Sequence, residues 1–349
     1  MRAIQDLLRP KIKSIKPYSS ARDEYSGVDG VFLDANENPI GSVTGGPFNR
    51  YPDPYQREAK QKLAPLKGVK PEQIFLGNGS DEAIDLVFRA FCEPRVDNVI
   101  ILPPTYGMYR VCADINDVAV KEVSLTEDFQ IDVDAVLASI DENTKAIWLC
   151  SPNNPTGNLL NEGDILAILN QFDGLVVVDE AYFDFAGVAS MATKLDEFKN
   201  LIVLQTFSKA WGMAGLRIGM AIADAEIIAV FNKIKYPYNL NTTTQLELIK
   251  ALDKEPQKDL MVKEILEQRN WLFSEFEKIT AIRKIYNSHS NSLLIKIDDA
   301  HETYNKLIEK LVVVRDRSNV KLCEGCLRVT VGTRTENEIL VAEIKKIHA

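Results

Sequence analysis

Residues 201–219 read LIVLQTFSKAWGMAGLRIG. An apolar run leads into Thr206, Ser208 and Lys209, and Arg217 follows eight residues after the lysine. A run that is apolar at nearly every position reads as a strand covered on both faces. Lysine is among the residue types least often buried, because taking its charge out of water is costly. A lysine at the end of such a strand therefore calls for a role.

The same texture extends in both directions. Between about 58 and 245, short apolar runs alternate with helical patterns. The runs are QIFLG, NVIIL, VAVKEV, KAIWLC, GLVVVD, NLIVLQ and IGMAIA. Between them lie patterns such as SDEAIDLVFRAF and EGDILAILNQF, with apolar residues at helical spacing. This alternation predicts an α/β domain with a large, doubly wound, mostly parallel sheet. After residue 250 the pattern changes. A long helical stretch, LMVKEILEQRNWLFSEFEKI, is followed by strand-like SLLIKI, helix-like AHETYNKLIEKL, strand-like VVVRD and CLRVTVG, and a last helix in ENEILVAEIKKI. That predicts a smaller α+β domain. The expected division is an N-terminal arm over 1–45, packing with the small domain or a second chain, a large domain over 46–250, and a small domain over 251–349. Residues 20–57 read as loop, with an amphipathic first helix ahead of them.

The chain has 349 residues, 46% hydrophobic and 26% charged, ample for a sizeable core. Its net charge of −9 argues against a general nucleic-acid or membrane-surface role. The first twenty residues lack a signal-peptide core, and the five cysteines fit a reducing compartment, so a cytoplasmic location is expected. Cys323 and Cys326 form one CxxC, read as a turn before a strand. With three histidines, none at ligand spacing to another, no metal site is expected.

In an open parallel sheet, ligands bind at the carboxyl ends of the strands. After QIFL comes GNGSDE: Gly79 permits a tight turn, and Ser80 and Asp81 fit a first helical turn whose free N–H groups suit a phosphate. It is not a dinucleotide fingerprint, because Glu82 stands where GxGxxG needs glycine, and no Walker GK[ST] occurs. After NVIIL comes PPTYGMY, with Tyr106; after KAIWLC, SPNNPTGN, with Asn154 held by the following proline; after GLVVV, Asp179 and then Tyr182; after NLIVLQ, Thr206, Ser208 and Lys209. Taken singly, each has an ordinary structural reading, such as an N-cap or an aromatic beside a Pro-Pro turn. Together they supply a phosphate cradle, an aromatic ring, an amide, a carboxylate and a lysine. Pyridoxal phosphate chemistry needs that set. The lysine forms a Schiff base with the aldehyde, and the carboxylate keeps the pyridine nitrogen protonated so that the ring acts as an electron sink. Asn154 and Tyr182 suit the ring's phenolate oxygen, Tyr106 its face, and Ser80, Ser208 and Arg217 its phosphate.

At these residues the chain resembles the fold-type I, aspartate-aminotransferase-like pyridoxal phosphate enzymes. SPNNPTG, VVDEAY and SKAWGMAGLRIG occur in order with matching gaps. The resemblance implies that Lys209 is the Schiff-base lysine, Asp179 the pyridinium partner and Arg217 a phosphate ligand. The chain is more closely similar to the histidinol-phosphate aminotransferase family, through PYSSAR, LDANENP, NRYPDP, VRD and CLRVTVGTR. That resemblance covers nearly the whole chain. It implies a homodimer in which Tyr51 reaches the neighbour's cofactor phosphate. It also implies that Arg328 binds the carboxylate of glutamate, and that Arg315, Arg328 and Tyr18 help hold the substrate's phosphate. Arg315 in VVVRDRSN reads equally as a solvated charge at a strand end, whereas Arg328 sits within an alternating strand, a rigid mount. The implied reaction moves an amino group between L-histidinol phosphate and 2-oxoglutarate. An aromatic or broad-range aminotransferase, or a decarboxylase of a phosphorylated amino acid, is the alternative on the same fold. A regulatory module would need an added DNA-binding domain or a damaged lysine site, and neither is visible.

Overall fold

The computed structural model describes residues 2–18 and 30–349. Its centre is a seven-stranded sheet built from β1 (Ile74–Asn78), β2 (Asn98–Ile101), β3 (Ala119–Glu122), β4 (Thr144–Cys150), β5 (Leu175–Asp179), β6 (Leu201–Thr206) and β7 (Ile218–Ala223), in the order β1-β7-β6-β5-β4-β2-β3. β2 to β6 run parallel where they pair. β7 runs antiparallel to both its neighbours, β6 and β1. The central strands β5, β6 and β7 are buried at every position, because helices cover both faces.

The reversal of β7 positions the site. Chain leaving β6 at Thr206 turns back into β7, so Arg217, just ahead of β7, returns to the edge where Lys209 left. β1 lies antiparallel to β7, so its carboxyl end reaches that edge too.

A second, four-stranded sheet has β8 (Ile282–Ile285), β9 (Ser292–Ile297), β10 (Arg315–Asp316) and β11 (Cys326–Thr330) in the order β10-β11-β9-β8, all antiparallel. Its two faces do different things, as the two-residue period of a strand requires. Leu293, Ile295, Ile297, Leu327 and Val329 face a local core with the helices Glu255–Phe276, Ala300–Glu309 and Arg334–Ile347. Leu294 and Cys326 face the large domain's core. Arg328, opposite Leu294 in the register, is thereby carried toward the large sheet. Residue 250 lies inside the helix Thr242–Leu252, and the following helix contributes Val262 to the large core and Leu272 and Phe276 to the small one.

Three features differ from the sequence reading. Pro10 splits the first helix into Ile4–Leu7 and Pro10–Ser14, because its ring leaves no room for a continuous helix. The described start of the arm packs on the large domain rather than the small one: Ile4, Leu7 and Leu8 join its core, and Arg9 Nη1 donates to the Arg89 carbonyl at 2.9 Å. The strand expected in VVVRD is reduced to Arg315 and Asp316. Cys323 and Cys326 are buried thiols joined by a turn hydrogen bond, and burial pushes them up to about 12 and about 11. Among the described residues no group of three His, Cys, Asp or Glu is arranged to hold a metal ion.

Candidate active site

One cleft at the strand-end edge brings together Gly79, Ser80, Asp81, Tyr106, Asn154, Asp179, Tyr182, Thr206, Ser208, Lys209 and Arg217, with Cys150 and Ala181 added. They arrive from six strand ends, those after β1, β2, β4, β5 and β6 and that ahead of β7.

Gly79 follows β1 with φ of +72°, in the region that favours glycine. A Cβ there would lie 2.8 Å from Arg217 Nη2. The glycine thus lets a guanidinium rest against the backbone just ahead of the helix Ser80–Phe91. No side chain caps that helix, so its first N–H groups and the positive end of its dipole face the cleft. Gly219 closes the cradle from behind: a Cβ on it would meet the Ser80 nitrogen at 2.1 Å. Arg217 itself has φ of +53°, and its Nη2 lies 3.4 Å from Asp81 Oδ2. Glycine-permitted close approach, an uncapped helix N-terminus and an arginine make an anion site of phosphate type.

Asp179 ends β5 and is 3% exposed. Tyr109 Oη donates to its Oδ2 at 2.7 Å, and the Ala181 N–H to its Oδ1 at 3.1 Å. Burial outweighs both bonds and pushes the carboxyl up to about 6. It has no ion-pair partner among the described residues, although a charged carboxylate at this depth calls for one. A protonated pyridine nitrogen would meet that need, and its phosphate would meet the cradle; the residues present fit pyridoxal phosphate.

The elevated Asp179 carboxyl gives the cofactor-free protein a specific pH dependence. Between the unfolded value of 3.8 and about 6, the folded form binds more protons than the unfolded form, so stability falls as pH rises through that window. A shift of roughly two units corresponds to about 3 kcal/mol. Asp179→Asn is expected to remove the fall, so the stability gap between variant and wild type widens from pH 4 to 7. Denaturant titrations of both apo proteins across that range measure it. Parallel pH profiles would disprove the assignment.

Lys209 is open to the cleft rather than sunk in the core. Protein nonetheless surrounds it closely, and its ammonium is held below the ordinary lysine value, first by desolvation and then by Arg328 and Arg217. Its Nζ lies 5.6 Å from the centre of the Tyr182 ring. Thr206 braces the turn: its Oγ1 donates to the Ile218 carbonyl at 3.2 Å and accepts from the Ser208 N–H at 3.1 Å. Tyr106 Oη donates to Asp81 Oδ1 at 3.1 Å. Asn154 Oδ1 accepts from Arg328 Nη1 at 2.5 Å, which ties the small sheet to the cleft. Its neighbour Asn153 donates to the Pro104 carbonyl at 2.8 Å and to Thr156 Oγ1 at 2.7 Å, locking the β4 loop to the β2 loop.

Tyr51 and Tyr18 lie outside this chain's own cleft. The Tyr51 ring stacks on Tyr238 with centroids 4.4 Å apart and is half exposed. Tyr18 is 74% exposed, in a groove with Tyr236 and Pro237. Arg315 is exposed and pairs across the strands with Arg328. Glu37, in the LDANENP segment of the arm, binds Arg50 at 2.6 Å and the Tyr51 N–H at 2.7 Å.

Two supporting residues carry no sequence signal. Tyr109 is fully buried, stacked on Trp148 with centroids 4.9 Å apart, and in the sequence it is one more aromatic on a helix. Glu180 points away from the cleft, accepting from Ser190 Oγ at 2.5 Å, the Met191 N–H at 2.7 Å and Gln205 Nε2 at 2.8 Å. It anchors the backbone next to Asp179.

Fold and site together define a fold-type I pyridoxal phosphate enzyme. Its chain matches the family described as aminotransferase class I and II over residues 28–344. It is 54% identical over 343 residues to the histidinol-phosphate aminotransferase of Cytophaga hutchinsonii, covering 98% of this chain and 99% of that one. It is 54% identical over 347 residues to that of Bacteroides thetaiotaomicron, covering 99% of each. The solved histidinol-phosphate aminotransferase of Sinorhizobium meliloti, in complex with pyridoxal-5'-phosphate, shares the fold with a TM-score of 0.81 at 22% identity, over 97% of this chain and 96% of that one. The chain belongs to the class I and II aminotransferases, and within them to the histidinol-phosphate aminotransferase family.

Proposed function

We propose that this protein transfers the amino group of L-glutamate to imidazole acetol phosphate, giving 2-oxoglutarate and L-histidinol phosphate, and runs the reverse reaction at the same site. The observation that carries the reading is the cleft itself. A lysine, a buried carboxylate and a phosphate cradle meet there, and Arg328 of the second sheet reaches it through Asn154.

Pyridoxal phosphate bound in the cleft supplies an electron sink for the electrons released at the substrate Cα. The chain's residues do the rest. Ser80, Ser208, Arg217 and the open helix N-terminus hold the phosphate. Asp179, braced by Tyr109, keeps the ring nitrogen protonated. Asn154 and Tyr182 bond the ring oxygen, and Tyr106 lies against the ring face. Lys209 Nζ takes the Cα proton and returns it in the other direction, a role that suits its lowered basicity. Arg328 holds the glutamate carboxylate, and with Arg315 the substrate phosphate.

Val31, Leu33, Ile40, Val43 and Phe48 are exposed apolar residues within one stretch of chain, a surface suited to cover by another protein. We assign that cover to a second copy, with Tyr51 and Tyr18 serving the neighbour's site. Among the described residues no helix is long and apolar enough to cross a membrane. The five cysteines are free thiols, which suits a reducing compartment, and we propose a cytoplasmic location.

The deciding experiment is an amino-donor panel with 2-oxoglutarate, following glutamate formation. Histidinol phosphate is expected to be the fastest donor. Faster turnover of phenylalanine would replace this reading with that of an aromatic aminotransferase, and carbon dioxide release from a phosphorylated amino acid with that of a decarboxylase.

A further inference from the structure

The second sheet presents more positive charge toward the cleft than a carboxylate needs. β10 sets Arg315 opposite Arg328 and Asp316 opposite Leu327. The ladder continues one step further, with the Arg317 N–H donating to the Cys326 carbonyl at 2.9 Å. Since residues opposite one another share a face, Arg315, Arg317 and Arg328 all stand on the side that faces the large domain.

No carboxylate pairs with any of these three arginines among the described residues. Asp316, the nearest in sequence, points to the other face. Its Oδ2 lies 2.8 Å from His301 Nδ1, and its Oδ1 accepts the Ser318 N–H at 2.8 Å. Arg328 spends one nitrogen on Asn154. The Nε of Arg317 is buried without a hydrogen-bond partner. A guanidinium stays charged in a protein, so this face holds three positive charges at close range. Desolvation, then Arg328 and then Arg315, hold Arg317 below its ordinary basicity, and Tyr182 of the cleft also lies within its electrostatic reach.

A carboxylate has one charge and two oxygens, which a single guanidinium fork saturates. A phosphate monoester carries nearly two charges and three terminal oxygens at neutral pH. Three unneutralised guanidinium groups therefore match the second ligand better than the first. We propose that Arg317 is a specificity residue, the third guanidinium of the site that receives the substrate's phosphate, and that it favours phosphomonoester substrates over dicarboxylates. This rests on the reading given under Proposed function.

The test uses the holoenzyme, with Arg317→Gln and Arg317→Lys. Separate half-reactions give KM and kcat for histidinol phosphate and for glutamate. Arg317→Gln is expected to raise the KM for histidinol phosphate by about tenfold or more, in line with one lost charge-assisted bond, and to leave the KM for glutamate within about twofold. Arg317→Lys is expected to fall between, because it keeps the charge and loses the fork. A second readout needs no turnover. Inorganic phosphate is expected to raise the Tm of the wild-type holoenzyme, and most of that rise is expected to vanish in Arg317→Gln. Equal losses for both substrates would make Arg317 a mere support for Arg328 and overturn the proposal, as would no change in either. If Arg317→Gln does not fold, Arg317→Lys with the phosphate-dependent Tm decides. If the wild type does not turn over histidinol phosphate, the functional reading fails on its own, and the phosphate-dependent Tm still reports whether Arg317 binds a phosphate.

Discussion

Lys209→Ala is expected to lower transamination by at least about ten-thousandfold, the upper range for a positioned proton-transfer group. The lysine stands just past the end of β6 with its amine in the cleft, and desolvation together with Arg328 and Arg217 lowers its pKa, so more of that amine is unprotonated and able to take a proton than in a solvated lysine. Among the described residues no other amine lines the cleft to substitute for it. The fold is expected to survive, because the side chain opens to the cleft and its loss leaves no packed void; the stability change should stay within about 0.5 kcal/mol, as at other sites outside the core. Borohydride treatment of the wild type is expected to fix pyridoxal phosphate covalently to Lys209, and the variant to take up the cofactor without fixing it. Activity above one part in a hundred of the wild type in the folded variant would end the assignment of this residue.

The second large effect is expected at Arg328. Arg328→Ala should lose glutamate and histidinol phosphate together, each by roughly a hundred- to a thousandfold in kcat/KM, as for removal of one partner of a hydrogen-bonded charge pair. One guanidinium would serve both substrates, because both place an anionic group on the same side of the cleft. The loss also frees Asn154, which accepts from Arg328 Nη1, so orientation of that amide goes with it. This parallel loss contrasts with the selective one expected at Arg317. Retained glutamate turnover in Arg328→Ala would show that the dicarboxylate is held elsewhere.

Much of this was readable one segment at a time. The seven apolar runs are strands, and SDEAIDLVFRAF is a helix over those twelve residues, Ser80–Phe91. Both follow from local periodicity. The polar residues at the strand ends were legible because a run buried on both faces leaves chemistry only where it emerges. Tyr109 and Glu180 were not legible. Their roles depend on what lies across the helix or behind the strand, and no spacing in the sequence encodes that. Tyr18 stood in a motif, yet no local signal says that it lies outside the cleft of its own chain.

The sequence by itself determined which side chains sit at strand ends and that a lysine, a carboxylate, an amide and an arginine are among them, because burial and periodicity act over a few neighbouring residues. Only the tertiary structure decided that β7 runs against its neighbours and returns Arg217 to the edge where Lys209 stands, and that the second sheet turns its arginine face toward the large domain. Strand direction and facing are settled by pairing between segments far apart in the chain, where each strand takes the partners that bury it best.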